Sequence, residues 1–142
     1  MTDRRILIVA QRTAASPRLL AAVAERAARG PCRFTLLVPR PYWDPDTEEA
    51  DITLELAIPL LAEAAGGPVE GRVGVPDAWS AVERTLVHEH FDEVIISTHP
   101  GAVRSSWLRG GLVDRARKAA GEIPVSHVEV DLASGRERTH VL

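Results

Sequence analysis

An α/β domain, a parallel sheet covered by helices on both faces, is what this sequence predicts, and three observations carry the prediction. Five apolar runs are spaced along the chain: "RRILIVA" (4–10), "CRFTLLV" (32–38), "VEGRVGV" (69–75), "DEVIIS" (92–97) and "PVSHVEV" (124–130). Helix-patterned segments lie between consecutive runs, giving the order β-α-β-α-β-α-β-α-β, which requires crossover connections and hence parallel strands. The first, second and fourth runs are nearly continuous in Ile, Leu and Val, as strands buried on both faces must be.

Each helix has its own signals. "SPRLLAAVAERAARG" opens with Ser16 as N-cap and Pro17 at the first helical position, and Gly30 can end it. Its Leu19, Leu20, Val23 and Ala27 share a face. "DTEEADITLELAIPLLAEAAGG" starts with Asp46 as a cap and Glu49 three residues on, and Pro59 predicts a kink or a late restart. "PDAWSAVERTLVHEHF" sets Trp79, Val82, Leu86 and Val87 along one stripe. A fourth helix is predicted to begin within "SSWLRGG" and to run to about Ala120, before Gly121 and Pro124. The last strand alternates, with Val125, Val128 and Val130 broken by Ser126, His127 and Glu129, the pattern of an edge or interface strand. The tail 131–142, "DLASGRERTHVL", has too little apolar pattern to be more than a flexible end or a short added element, so the domain is drawn over 1–130.

The chain has 142 residues, 45% of them hydrophobic and 26% charged, enough for one domain with its own core. Net charge is −3 and no polybasic run occurs, so general affinity for nucleic acid or an anionic membrane is not expected. The single cysteine, Cys32, starts an apolar run and reads as a small buried thiol. The N-terminal apolar stretch is too short for a signal peptide or a membrane span, and the expected location is cytoplasmic.

In an open α/β sheet, ligands bind beyond the carboxyl ends of the strands where strand order reverses. The candidate loops are "AQRTAAS" after the first strand, "PRPYWDPD" after the second and "STHPGAVRSSWLRGGL" after the fourth. The third loop joins a strand to a helix, and amides at a helix N-terminus attract anions. The candidate nucleotide- or anion-binding residues are Gln11 and Thr13 in the first loop, with Thr98, Arg104, Ser105, Arg109, Gly110 and Gly111 in the third.

These elements, with "GVPDAWSAVERTLVHEHFDEVIIS" running into the third loop, resemble a universal stress protein (UspA-like) domain over residues 4–130. The resemblance implies a single-domain, Rossmann-like (adenine nucleotide alpha hydrolase-like) three-layer sandwich, with a five-stranded parallel sheet in order 3-2-1-4-5. It also implies a non-catalytic regulator in the stress response that binds ATP, ADP or AMP in the crevice between strands 1 and 4. In ATP-binding members the loop after strand four reads Gly-x2-Gly-x9-Gly-[Ser/Thr], and those positions fall here on Ser97, Pro100, Gly110 and Gly111. Only Gly110 matches, with Asp114 and Arg115 behind it resembling an acidic-basic pair of the family. Pro100 has no amide hydrogen to offer a phosphate, and Gly111 has no hydroxyl. Gln11 stands where the family has an acidic residue toward the ribose, and an amide bonds a sugar hydroxyl less strongly than a carboxylate. Nucleotide binding is therefore expected to be weak.

Other residues carry less. His88 and His90 are two apart, so they do not face each other on a helix, and no metal site is expected. Trp43 reads as a loop closure, Trp107 as a packing residue, and His99 as a loop residue with no assigned role. No Walker A, G-x-G-x-x-G or G-x-S-x-G pattern occurs, and no catalytic set can be read from spacing. The alternatives to a nucleotide-binding regulator are a dimeric protein-interaction module that has lost nucleotide binding, and an enzyme of the wider α/β group. The alternating strand at 124–130 would leave an open edge, and two-fold pairing through it, with Val128 and Val130 at the interface, predicts a homodimer.

Overall fold

The computed structural model describes residues 3–11, 13–40, 48–98, 112–121, 123–130 and 137–141. The elements run β1 (Arg4–Val9), α1 (Pro17–Ala28), β2 (Cys32–Pro39), α2 (Glu49–Ala65), β3 (Val69–Gly74), α3 (Ala78–His88), β4 (Glu93–Thr98), α4 (Leu112–Ala120), β5 (Val125–Val130) and β6 (Glu137–Val141). The sheet order is β3-β2-β1-β4-β5-β6. The first five in that order are parallel neighbours, with Ile8 opposite both Leu36 and Ile95, so the predicted five-stranded sheet is present. β6 pairs antiparallel with β5, Val130 opposite Glu137.

The sheet's two faces bury two apolar clusters, because successive side chains of a strand point to opposite sides. Ile6 and Ile8 of β1 join Leu19 and Val23 of α1 and Leu61 of α2. Leu7 and Val9 join Val82 of α3, Phe91 and Leu112 of α4. All of these side chains are essentially fully buried, and burying each contributes about 1.5–3 kcal/mol. The result is the three-layer sandwich the sequence called for, with α1 and α2 on one face and α3 and α4 on the other.

Helix α1 begins as read: Ser16 caps it by accepting from the Leu19 amide, with Pro17 next. Its inward face holds one residue the apolar pattern did not select. Arg26 is buried there, gripping Glu93 at the start of β4 through both carboxylate oxygens, Nε at 3.0 and 2.9 Å and Nη2 at 2.5 Å. The bond to Glu93 raises the affinity of the guanidinium for its proton, against the opposing effect of burial. Partial burial in turn pushes the neighbouring Cys32 thiol upward, against the pull of Arg26; Cys32 is half-buried, not buried as the sequence suggested.

Three local expectations are corrected. Helix α2 continues through Pro59 without the late restart, and Pro59 lies on the helix's exposed side, where a missing backbone donor is tolerated. It starts at Glu49 after a Glu48 that makes no side-chain cap, and Asp46 lies outside the described residues; it ends on Gly66 in the left-handed region at φ 73°. In α3, capped by Asp77, Val82 is buried and Trp79 and Leu86 half-buried, but Val87 is 75% exposed. Five residues beyond Val82, it is turned about 140° away from the buried stripe.

The third correction concerns the edge of the sheet. β6, from the segment 131–142, occupies the side of β5 that the sequence left open, and Val128 and Val130 are buried in the chain's own core. The homodimer expected through the strand at 124–130 thereby loses the edge that motivated it. Among the described residues, no helix is long and apolar enough to cross a membrane.

Candidate functional site

Strand order reverses between β1 and β4: from β1 the chain moves outward through β2 and β3, then returns to place β4 on the other side. The turn after β1 and the end of β4 therefore meet at the carboxyl edge of the sheet, where a doubly wound fold presents its crevice. The turn is tight, with the Ala14 amide donating to the Gln11 carbonyl and the Ser16 amide to that of Thr13. It delivers the chain directly into the capped N-terminus of α1.

Three of the residues selected from the sequence are brought to this edge. Gln11 is half-buried, and its side-chain Nε2 donates to the carbonyl of Pro39, the last residue of β2, at 2.9 Å. Thr13 is buried, and its hydroxyl lies 2.5 Å from that of Ser97. Thr98 is buried too, with its hydroxyl 2.6 Å from Nε2 of His127 on β5. Arg104, Ser105, Arg109, Gly110 and Gly111 lie outside the described residues, as do His99, Pro100, Trp43 and Trp107.

The two hydroxyl pairs sit on opposite faces. Ser97 follows Ile95 on the side of α1, whereas Thr98 follows Ile96 on the side of α3 and α4. One pair ties the β1 turn to β4; the other ties β4 to β5. Both act as braces, because a buried hydroxyl without a partner costs about 1–3 kcal/mol. Among the described residues named here, Gln11 keeps a second amide hydrogen and its side-chain carbonyl for a further contact.

His127 is a residue that reasoning from the sequence did not place in the site, and Ser97 was matched to the resembled motif without being chosen as a binding residue. Ser97 was visible as the serine closing "DEVIIS", and His127 as a polar break in an alternating strand, but each partner is distant in sequence. His88 and His90 do not pair with each other: His90 Nε2 sits 2.9 Å from Oδ1 of Asp92. Among the described residues, no group of three or more His, Cys, Asp or Glu could hold a metal ion. The described part of the arrangement brings together the Gln11 amide, the Thr13, Ser97 and Thr98 hydroxyls, the His127 ring and the N-terminus of α1.

No protein-family model matches the chain, and no curated protein does. Among solved structures, a universal stress protein in complex with cAMP is similar over 92% of this chain and 98% of its own, at 12% identity and a TM-score of 0.64. An uncharacterized protein from Alicyclobacillus acidocaldarius aligns over 98% of this chain and 78% of its own, at 14% identity with a TM-score of 0.40. A T5 5′-exonuclease mutant aligns over 94% of this chain and 52% of its own, at 16% identity with a TM-score of 0.38. The last two scores are too low to carry an argument. What this chain shares with the universal stress protein is the fold.

Proposed function

We propose that this chain is a non-catalytic regulatory domain of the universal stress type, binding a nucleotide or another anion at the carboxyl edge between β1 and β4. The observation that carries this reading is the strand-order reversal at that edge, with the Thr13–Ser97 brace holding the β1 turn to the end of β4 across it. The ligand chemistry follows from three features: amides at the start of α1, Gln11 beside them, and Arg104 and Arg109 in the segment leading to α4. The fold neighbour holding cAMP supports a nucleotide as the ligand class.

Pro100 and Gly111 remove an amide donor and a hydroxyl from the phosphate loop of the resembled family. Each hydrogen bond to a charged group contributes about 1.5–3 kcal/mol, so losing two weakens ATP on the order of a hundredfold or more. The test is to denature the purified protein and identify any released nucleotide by absorbance and mass, then to titrate ATP, ADP, AMP and cAMP by calorimetry. Binding that disappears in the Arg104→Ala/Arg109→Ala variant supports the site. Tight, magnesium-dependent ATP binding would refute the reading of the loop.

A second reading has its own observation. The Thr13 hydroxyl pairs with that of Ser97 and the Thr98 hydroxyl with the His127 ring, so these four described polar side chains find partners within the chain. That favours a protein-interaction module that has lost nucleotide binding. Absence of any bound or titratable nucleotide would select it.

A further inference from the structure

Among the described residues, the large hydrophobics left most exposed are Ile52 at 52%, Leu56 at 66%, Leu60 at 42% and Val87 at 75%. Single exposed hydrophobics are ordinary. Three of these four, however, lie on one helix at i, i+4 and i+8, which aligns them along a single face for about 12 Å. The opposite face of α2 is already committed: Ala50, Ala57 and Leu61 are buried against the sheet, with Leu54 and Ile58 packed beside them. Helix α2 is thus apolar on two sides, and only one is used by the fold.

The charges that α2 itself carries have one sign. Residues 48–65 contain Glu48, Glu49, Asp51, Glu55 and Glu63 and no Lys or Arg. Glu48, Asp51, Glu55 and Glu63 are exposed. A second copy of α2 laid on the stripe would bring two acidic rows together, and an anionic membrane would be repelled for the same reason. The complementary surface is an apolar ridge flanked by cations.

We propose that the exposed Ile52–Leu56–Leu60 stripe of α2 is a docking surface for a basic amphipathic helix of another protein. Its apolar residues, spaced three or four apart, would pack on the stripe while its flanking Lys or Arg meet Asp51, Glu55 and Glu63. The surface is separate from the β1/β4 edge and does not depend on whether that edge binds a nucleotide.

The probe is a labelled 18-residue peptide with leucines at helical spacing flanked by lysines, followed by fluorescence anisotropy with the full chain. Two controls are a scrambled peptide of equal charge and a peptide with glutamates in place of the lysines. Binding of the first peptide at least tenfold tighter than either control is expected. Leu56→Gln/Leu60→Gln and, independently, Asp51→Lys/Glu55→Lys should each weaken it about tenfold with unchanged circular dichroism and melting temperature. Equal binding of the scrambled peptide, or binding unaffected by both variants, would overturn the proposal. So would self-association of the parent chain that Leu56→Gln/Leu60→Gln abolishes, because the occupant would then be a second copy. Preferential binding to anionic vesicles would also overturn it.

Discussion

The hydroxyl of Thr13, in the turn after β1, lies 2.5 Å from that of Ser97 near the end of β4, and both residues are buried. This contact joins segments 84 residues apart across the point where strand order reverses. Ser97→Ala leaves the Thr13 hydroxyl without its partner and is expected to cost about 1–3 kcal/mol. Thr13→Val/Ser97→Ala removes both polar groups and should recover most of that loss. Urea denaturation of the parent, both single variants and the double variant measures it; strictly additive losses would show that the two hydroxyls do not act together.

Arg26 and Glu93 make the same kind of argument with charges. Their side chains keep only 11 and 20% exposure, so removing one leaves the other poorly solvated. Arg26→Met should destabilise by about 2–3 kcal/mol, less than a fully buried pair would because some solvent remains. Arg26→Met/Glu93→Leu should be more stable than either single variant. A double variant as unstable as the sum of the two would contradict this.

Gly74, the last residue of β3, is a packing requirement. A Cβ built there would sit 2.7 Å from Cβ of Ala81 on α3 and 3.1 Å from Cδ1 of Leu37. Gly74→Ala is expected to cost about 1–3 kcal/mol through overpacking, and Gly74→Val more. Combining Gly74→Ala with Ala81→Gly relieves the clash but recovers only part, since glycine within a helix itself costs about 1 kcal/mol. Thermal melts of the three variants rank them.

Acid sensitivity should trace partly to Glu89. The Arg72 guanidinium, and after it that of Arg5, hold its carboxyl below the ordinary value of 4.5. Because the folded-state pKa is the lower one, the stabilisation is complete above about pH 4.5 and is lost as pH falls through the folded value. Asp92, which accepts from the Arg5 amide at 2.8 Å and then from His90, is shifted the same way. Glu89→Gln should flatten the acid limb of a stability-against-pH curve, and added salt should shrink the difference because the groups are partly exposed. An unchanged acid limb in Glu89→Gln would remove the carboxylate from this role.

Much of the architecture was legible because it depends on short-range pattern. The continuous apolar runs of β1, β2 and β4 mark strands covered on both faces, and Ser16–Pro17 marks the start of α1 by local chemistry alone. The signals that misled were also local. Pro59 read as a kink or a late restart, but the helix does not restart there, because the proline lies on an exposed face. Val87 was assigned to the buried stripe by proximity in sequence, although helical rotation carries it outward. Of the candidate site, Gln11, Thr13 and Thr98 were recognised as loop residues at strand ends, whereas their partners Pro39, Ser97 and His127 come from other strands.

By itself, then, the sequence determined the alternation of strands and helices, the parallel class of the sheet and the turn that leads from β1 into α1. Hydrophobic periodicity, capping and turn residues act within a few positions of one another, so they can be read in a single chain. Only the tertiary structure decided that β6 covers β5, that Arg26 is buried against Glu93, and that Thr13 and Thr98 spend their hydroxyls on Ser97 and His127. Each of those outcomes depends on strand register and side-chain direction across the fold. A buried polar group takes whichever partner the packing brings within reach, and sequence distance carries no record of that choice.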